Sequence, residues 1–246
     1  MNGLRGKVAL VTGGSRGIGA AVARALAARG ADVAITYERG EPAADAVACE
    51  IKSLGGRALT VRADSGDAAA VARAVDEVAD LLGRLDILVN NAAIFPTGDL
   101  ESMGVEEFDR TVAVNVRGPY VACRAAARHL NMGGRIINIG SNVAQRVPFP
   151  GMTLYALSKS ALAGLTTALA RELGPRGITV NLVHPGPTDT DANPASQPQA
   201  STIAGLTALG RYAEPAEIAS VVAFLAGDEA RYVTGASICA DGGWTA

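Results

Sequence analysis

The chain has 246 residues, of which 49% are hydrophobic and 19% are charged, as expected of a globular protein rather than a disordered one. Lysine and arginine total 22 against 24 acidic residues, and the net charge of -2 argues against nucleic acid or an anionic membrane as the main partner. No apolar run reaches the roughly 18–20 residues of a membrane span, and residues 1–7 lack a signal-peptide apolar region. We therefore expect a cytoplasmic protein.

The first structural signal lies in residues 8–30. An apolar run, residues 8–11, predicts a strand buried on both faces, and an Ala-rich segment that stops at Gly30 predicts a helix. Between them stand Gly13, Gly17 and Gly19 in the order G-x-x-x-G-x-G, which differs from the usual G-x-G-x-x-G fingerprint. A glycine turn that leads into a helix N-terminus predicts a nucleotide site, and a simple left-handed turn is the alternative.

Strands and helices alternate along the rest of the chain. Further strands are predicted over 32–37, 57–63, 85–89, 135–139, 179–183 and 236–240, and helices over 41–54, 67–82, 105–130, 155–173 and 215–226. This order predicts an α/β fold: one Rossmann-type, doubly wound parallel β-sheet of about seven strands with helices on both faces. We expect a single domain, 1–246, with a substrate lid near 189–210. Ligands in such a sheet lie beyond the carboxyl ends of the strands.

The three cysteines, Cys49, Cys123 and Cys239, are far apart and lack the spacing of metal ligands. We interpret them as small buried hydrophobic side chains in a reducing cytosol and expect no metal site. The two histidines, His129 and His184, are interpreted as structural.

Tyr155 and Lys159 are four residues apart at the start of a predicted helix, so their side chains share one face. A tyrosine with its ordinary pKa of about 10 is a poor acid or base at neutral pH, and a neighbouring ammonium would lower that pKa. Ser141 follows a predicted strand and could hydrogen-bond a substrate oxygen beside the tyrosine. An ordinary surface pair on a helix is the alternative.

Asn115 stands inside an apolar helical stretch, where asparagine is a poor helix former and needs a buried partner. Two interpretations of Asn115 are open: a role in the site, or a purely structural hydrogen bond.

Several short motifs follow one another in the chain. They are Thr12-Gly13-x3-Gly17-x-Gly19, Asn90-Asn91-Ala92, Asn115, Ser141, Tyr155-x3-Lys159 and Pro185-Gly186. Their order and spacing, over about residues 6–243, resemble the short-chain dehydrogenase/reductase family, most closely its 3-oxoacyl-(acyl-carrier-protein) reductase-type members. The family's own glycine spacing accounts for the unusual first turn.

The resemblance implies an NAD(P)-dependent oxidoreductase that transfers a hydride between a nicotinamide cofactor and a carbonyl or alcohol substrate. It implies that Tyr155 is the general acid for reduction and the base for oxidation, and that Lys159 lowers the pKa of Tyr155 and binds the nicotinamide ribose. Ser141 would orient the carbonyl, and Asn115 would hold a water in a proton relay toward Lys159. A non-catalytic nicotinamide-nucleotide-binding protein on the same fold is the alternative.

The resemblance also implies a set of cofactor contacts. Asp64 would meet the adenine, although capping of the next helix is an equally good interpretation. The family usually has glycine at the position of Ala93, and we expect the alanine to be tolerated. The full set is Gly13, Ser15, Arg16, Gly17, Ile18, Gly19, Tyr37, Arg39, Asp64, Ser65, Asn91, Ala92, Ala93, Tyr155, Lys159, Pro185, Gly186, Thr188 and Thr190.

The end of the second strand favours NADP(H) over NAD(H). NAD-specific sites place an acid there for the ribose 2′-OH, whereas this strand ends in Tyr37. Arg16 and Arg39 could bind a 2′-phosphate, and a solvated turn residue is the alternative interpretation of Arg39. Glu38 would repel the phosphate if it turned inward, and would pair with an arginine if it turned outward.

The apolar residues of the 105–130 and 155–173 helices exceed what one sheet face needs, and we expect a homotetramer that buries them. Members of this set are Ala161, Leu162, Leu165, Leu169 and Ala170. The substrate is a small carbonyl or alcohol that the sequence leaves unidentified. An acyl carrier protein would require basic residues near the site, for which Arg124, Arg128 and Arg176 are candidates.

Overall fold

The structure is a computed structural model, and it describes residues 3–246. Seven parallel strands form one sheet in the order β3-β2-β1-β4-β5-β6-β7, which confirms the predicted doubly wound parallel sheet. The strands are β1 Val8–Val11, β2 Asp32–Tyr37, β3 Ala58–Arg62, β4 Ile87–Asn90, β5 Arg135–Ile139, β6 Thr179–Pro185 and β7 Ser237–Ala240.

The sheet separates two hydrophobic cores. Along β1, Ala9 and Val11 pack into one core with α1, α2 and α8, while Val8 and Leu10 pack into the other with α3 and α5. All four residues are buried, because a central strand of a doubly wound sheet contacts helices on both faces. The helices are α1 Gly17–Ala28, α2 Glu41–Ser53, α3 Ala68–Leu82, α4 Val105–Val112, α5 Gly118–Ala126, α6 Thr153–Leu173, α7 Ala200–Ala204 and α8 Pro215–Ala226.

The helix predicted over 105–130 is not regular. A π-helical turn, Ala113–Arg117, separates α4 from α5, and α5 ends at Ala126. A π-turn inserts an extra residue into the helix, and a hydrophobic period of 3.6 residues cannot reveal a single such insertion. Within residues 3–246, no helix is long and apolar enough to cross a membrane.

The N-cap of α3 is Asp67, whose carboxylate accepts hydrogen bonds from Ala69 N at 2.8 Å and Ala70 N at 3.1 Å. The interpretation of Asp64 as the cap of this helix was therefore wrong, because Asp64 lies three residues before the N-cap, in a separate turn. Its carboxylate instead accepts from Gly66 N at 2.7 Å.

The interpretation of all three cysteines as buried was wrong for two of them. Only Cys123 is buried, and burial raises the pKa of its thiol to about 12. Cys49 lies on the exposed side of α2, and Cys239 lies on β7, a strand at the edge of the sheet whose outward side chains are exposed.

Candidate active site

The glycine turn joins β1 to α1 and is held to the end of β4. Gly13 and Gly17 have positive φ angles of 62° and 54°, which favour glycine. The Thr12 hydroxyl accepts from Asn91 N at 3.0 Å and Ala92 N at 3.1 Å, and the Asn91 amide donates to the carbonyls of Thr12 and Gly13. The side chain of Asn91 therefore shapes the turn, because its amide hydrogens are used inside it.

Two further glycines in this turn are required by close packing. A Cβ at Gly19 would overlap the Asn91 amide and the Gly13 carbonyl, and a Cβ at Gly14 would overlap Ile35 of β2. The sequence analysis did not include Gly14 in the site. The exposed Arg16 is the N-cap residue of α1, and its side chain makes no capping hydrogen bond in the described part of the chain. The backbone N–H groups of this turn thus suit an anion such as a pyrophosphate.

A small cavity lies beside the turn, between the ends of β1, β2 and β3. The predicted residue Ser65 lines it, and Asp64 stands next to it in sequence. Its other lining residues include Thr12, Thr36, Ala63 and Val71. The Thr36 hydroxyl also accepts from Gly13 N at 3.1 Å, so the cavity and the glycine turn form one continuous site.

The structure shows which way Glu38 turns at the end of β2. Arg39 is 89% exposed and lies 3.6 Å from the Glu38 carboxylate, so Glu38 pairs with arginine. Tyr37 belongs to the hydrophobic core, and burial and the neighbouring Glu41 raise the pKa of its phenol. The sequence analysis missed Arg110 of α4, which pairs with Asp64 and reaches Glu38.

Tyr155 and Lys159 lie in the first two turns of α6, on one face. Lys159 is 3% exposed, its Nζ donates to the Ile139 carbonyl at 2.8 Å, and Nζ lies 5.8 Å from the centroid of the Tyr155 ring. Burial lowers the pKa of Lys159 to about 8. The pair is therefore not an ordinary surface pair.

The expected lowering of the Tyr155 pKa is absent. Burial raises the pKa of Tyr155 above its ordinary value, and only the Ser141 hydroxyl opposes the rise. The Lys159 ammonium donates to the backbone of Ile139, and among the described residues no hydrogen bond joins it to the phenol oxygen. In this state Tyr155 is a protonated phenol, the form that a general acid requires.

Ser141 is held in place by a histidine that the sequence analysis treated as structural. His184 Nδ1 lies 2.7 Å from the Ser141 carbonyl oxygen, and its Nε2 lies 2.8 Å from the Ser237 hydroxyl. Burial lowers the pKa of His184, which favours the neutral ring. His184 Nδ1 also lies 3.1 Å from Ser141 N. With the proton on Nδ1 the neutral ring donates to Ser141 O and accepts from Ser237, and with the proton on Nε2 it accepts from Ser141 N and donates to Ser237, so in either tautomer His184 positions Ser141.

Asn115 lies in the π-helical turn and is 1% exposed. Its Oδ1 accepts from Ile94 N at 2.9 Å, and its Nδ2 donates to Ile94 O at 2.9 Å and to Ser158 Oγ at 3.0 Å. The structural hydrogen bond is thus present, and both amide hydrogens are committed to it. A role in a water relay stays a prediction.

Phe95, which the sequence analysis missed, lies against the candidate catalytic tyrosine. The rings of Phe95 and Tyr155 meet edge to face, with centroids 4.5 Å apart and an angle of 83° between their planes. Phe95 is 50% exposed, so the ring also presents an apolar surface outward. Its position follows from the loop after β4, where Asn115 fixes the neighbouring Ile94.

The segment after β6 reaches back to the glycine turn. Gly186 N donates to Ala240 O, and the Thr188 hydroxyl donates to Gly186 O, each at 3.0 Å. A Cβ at Gly17 would lie 3.3 Å from the Thr190 methyl, so Thr190 stands beside the turn. The predicted residue Pro185 ends β6, and Gly186, Thr188 and Thr190 follow it at the same edge of the sheet as Tyr155. Ala93 is exposed and has room for its methyl group.

A larger cavity of about 260 Å³ lies between the end of β7 and the segment before α8. Pro187, Arg211, Glu217 and Cys239 are among its lining residues, and Tyr155 and Ser141 are not. Within residues 3–246, no group of three or more His, Cys, Asp or Glu side chains is arranged to hold a metal ion.

A glycine turn on a parallel sheet, next to a half-buried tyrosine and a buried lysine, defines a dinucleotide-binding oxidoreductase site. The family model described as enoyl-(acyl carrier protein) reductase matches residues 13–245. A cyclic-di-GMP-binding biofilm dispersal mediator protein of Escherichia coli (strain K12) is 45% identical, with all of both chains covered. A versicolorin reductase of Emericella nidulans is 42% identical, with 98% of this chain and 96% of that protein covered.

Solved structures agree with this assignment. A short-chain dehydrogenase from Burkholderia cenocepacia J2315, in complex with NADP, is 55% identical and superposes with a TM-score of 0.98. The superposition covers 99% of this chain and 100% of that one. The chain therefore belongs to the short-chain dehydrogenase/reductase family of oxidoreductases. The names of the relatives differ in substrate, so the matches show the family and its class of chemistry rather than one substrate.

Proposed function

We propose that this protein is an NADPH-dependent carbonyl reductase in which Tyr155 delivers the proton. The observation that carries the proposal is the pair on α6: the Nζ atom of the buried Lys159 lies 5.8 Å from the centroid of the half-buried Tyr155 ring, and the Ser141 hydroxyl opposes the rise in the pKa of that phenol. A protein that only bound a nucleotide would have no need of a phenol and a buried ammonium side by side.

The chain's own residues supply binding, orientation and the proton, and the nicotinamide cofactor supplies the hydride when it is bound. The Ser141 hydroxyl donates to the substrate carbonyl oxygen and fixes its position. The Tyr155 hydroxyl transfers its proton to the same oxygen as the carbonyl becomes an alcohol. The Lys159 ammonium stabilises the phenolate left behind, and it would hold the nicotinamide ribose when the cofactor is bound.

The residues present fit a nicotinamide dinucleotide. The glycine turn at the start of α1 offers unpaired N–H groups to the pyrophosphate, and Ser65 and Val71 line a small cavity beside that turn, on the side where the adenosine would lie. The preference for NADPH rests on two features. The strand β2 ends in Tyr37 rather than in an acidic residue, and Arg16 and Arg39 are exposed nearby. The NADP held by the Burkholderia relative supports the same choice.

A carrier-protein substrate of the 3-oxoacyl type finds little support in the charge distribution. Arg128 follows the end of α5, and Arg176 binds the carbonyls of Ala127 and Leu130 shortly before β6 begins. Both arginines therefore lie at the amino edge of the sheet, opposite the site. The half-exposed Phe95 beside Tyr155 favours a free carbonyl compound with an apolar or aromatic group.

The alternative is a nucleotide-binding protein without turnover. The name of the Escherichia coli relative, which describes that protein as binding cyclic-di-GMP, supports this alternative. One experiment separates the two: the purified protein is mixed with NADPH and a panel of aromatic, cyclic and β-keto carbonyl compounds, and absorbance at the nicotinamide band is followed. Consumption of NADPH that depends on the carbonyl compound supports the reductase. Binding of NADPH without consumption across the panel supports the alternative.

A further inference from the structure

Three charged side chains from three different elements meet at the adenosine end of the site. Glu38 follows β2, Asp64 follows β3, and Arg110 lies on α4. Arg110 NH1 is 3.1 Å from Asp64 Oδ2, Arg110 NH2 is 3.2 Å from Asp64 Oδ1, and NH2 is also 3.7 Å from Glu38 Oε1. The Arg110 guanidinium thus lies within ion-pair distance of both the Asp64 and the Glu38 carboxylates.

The loop after β3 is bound to the same helical segment a second time. Arg117, the last residue of the π-helical turn, donates to Gly66 O at 2.8 Å. A Cβ at Gly66 would overlap the Arg110 guanidinium, so the loop is shaped to receive this side chain. The Arg110 guanidinium also lowers the pKa of Asp64, as a charged hydrogen-bond donor should. The arrangement is consistent with an oriented ion pair rather than a chance surface contact.

Glu38 is the carboxylate next to the expected 2′-phosphate contact, and its charge opposes the binding of NADPH there. It lies next to Arg39, the residue expected to bind the 2′-phosphate, and the two side chains are 3.6 Å apart. If Glu38 had only Arg39 as a partner, it would both repel a phosphate and occupy the arginine that should bind it. Arg110 offers Glu38 a second partner at 3.7 Å, so that Glu38 keeps a counter-charge when Arg39 turns to a phosphate.

We propose that Arg110 is a specificity-determining positioning residue, which pairs with Glu38 and Asp64 and thereby allows a 2′-phosphate beside Arg39. The inference rests on the proposed preference for NADPH and adds a residue from α4 to it. The pairing acts through Glu38, so Arg110 itself need not touch the cofactor.

The test measures kcat/KM with NADPH and with NADH for Arg110→Ala. We expect the ratio of the two values to fall by up to about fivefold, as expected for the loss of one solvent-exposed ion pair. Arg110→Lys should retain part of the ratio, because an ammonium can pair with Glu38 but cannot bind Asp64 through two nitrogens. The double variant Arg110→Ala/Glu38→Gln should recover the ratio, because the repelling charge is gone.

The matched control is Arg24→Ala. Arg24 and Arg110 are both 43% exposed and each pairs with a carboxylate, but Arg24 pairs with Glu50 on the outer surface of α1 and α2. Arg24→Ala should leave the ratio unchanged. Unfolding temperatures of all variants identify any that fail to fold, and those are replaced by Arg110→Gln.

Binding of 2′,5′-ADP and 5′-ADP, measured by calorimetry, provides a readout that does not depend on turnover. Arg110→Ala should weaken 2′,5′-ADP more than 5′-ADP. An unchanged ratio, or a loss that Glu38→Gln does not recover, overturns the inference. A wild-type preference for NADH would instead contradict the proposed cofactor, and the effect of Arg110 on the two ADP probes would still be measurable.

Discussion

Asn115 and Ile94 form a two-point hydrogen bond, in which the side-chain amide accepts from the Ile94 N–H and donates to the Ile94 carbonyl, both at 2.9 Å. The contact joins the π-helical turn between α4 and α5 to the loop that carries Phe95. A third bond, to Ser158, joins the same side chain to α6. Asn115 therefore connects the two segments that meet at Tyr155, and any water that it binds must be held by its main chain or by the remaining lone pair of Oδ1.

Asn115→Leu should impair both stability and turnover. The substitution leaves the N–H and C=O of Ile94 without their partner, at a cost of about 1–3 kcal/mol in the free energy of unfolding. Phe95 should shift with the loop and lower kcat. Denaturant unfolding and steady-state kinetics measure the two effects. The control Ser158→Ala removes only one of the three bonds, so a loss in Ser158→Ala as large as that in Asn115→Leu would contradict this account.

The pH profile of carbonyl reduction should report Lys159. Because burial lowers its pKa to about 8, the ammonium is present at neutral pH and is lost as the pH rises through that value. Reduction also requires protonated Tyr155, whose pKa is raised. The value of kcat/KM should therefore be level near pH 6–7 and fall above about pH 8. In Lys159→Arg, whose guanidinium keeps its charge, a fall at the same pH would show that Lys159 is not its source.

Arg39→Ala should lower kcat/KM with NADPH and leave that with NADH nearly unchanged. The exposed guanidinium supplies a charge-assisted bond to the 2′-phosphate, of a kind worth about 1.5–3 kcal/mol, or roughly tenfold or more. Kinetics with both cofactors on wild type, Arg39→Ala and Arg16→Ala measure it. If wild type uses NADH as well as NADPH, the preference is wrong. If only Arg16→Ala has an effect, the phosphate contact belongs to Arg16.

A homotetramer is expected from the surface of the helices. Leu162 and Ala170, two of the residues expected at the subunit interface, are buried within the chain itself and cannot contribute to it. Val105 and Leu157 are 74% and 46% exposed and are available for such an interface. Light scattering at micromolar concentration should give four times the 24.9 kDa mass of one chain. Leu157→Glu should shift that mass downward if α6 is buried between subunits. A particle of about 25 kDa for the wild type would contradict the prediction.

The local signals in the sequence were sufficient for the sheet. The bounds of β1, β2 and β5 agree with the prediction because unbroken apolar runs mark buried strands, and Pro215 marks the start of α8. The π-helical turn could not be predicted, because it adds one residue to a helix whose hydrophobic pattern is otherwise continuous. Its consequence, the position of Asn115, depends on partners 21 and 43 residues away.

The candidate site could be predicted only in part from the sequence, for the same reason. The spacing of Tyr155 and Lys159 identified the pair, but the direction of the Tyr155 pKa depends on burial and on the Ile139 carbonyl that holds the ammonium. Arg110 is one charged residue among several on an amphipathic helix, and nothing in its neighbourhood in the sequence indicates Glu38 or Asp64. Contacts between residues far apart in the chain decide both features.

The most direct test of the central claim compares wild type with Tyr155→Phe in carbonyl-dependent NADPH oxidation. Phenylalanine keeps the ring and its contact with Phe95 but has no proton to transfer. We predict that turnover falls by about 10²–10⁴-fold while the dissociation constant for NADPH, measured by fluorescence titration, stays nearly unchanged. A Tyr155→Phe variant that retains more than about a tenth of the wild-type kcat would contradict general acid catalysis by Tyr155.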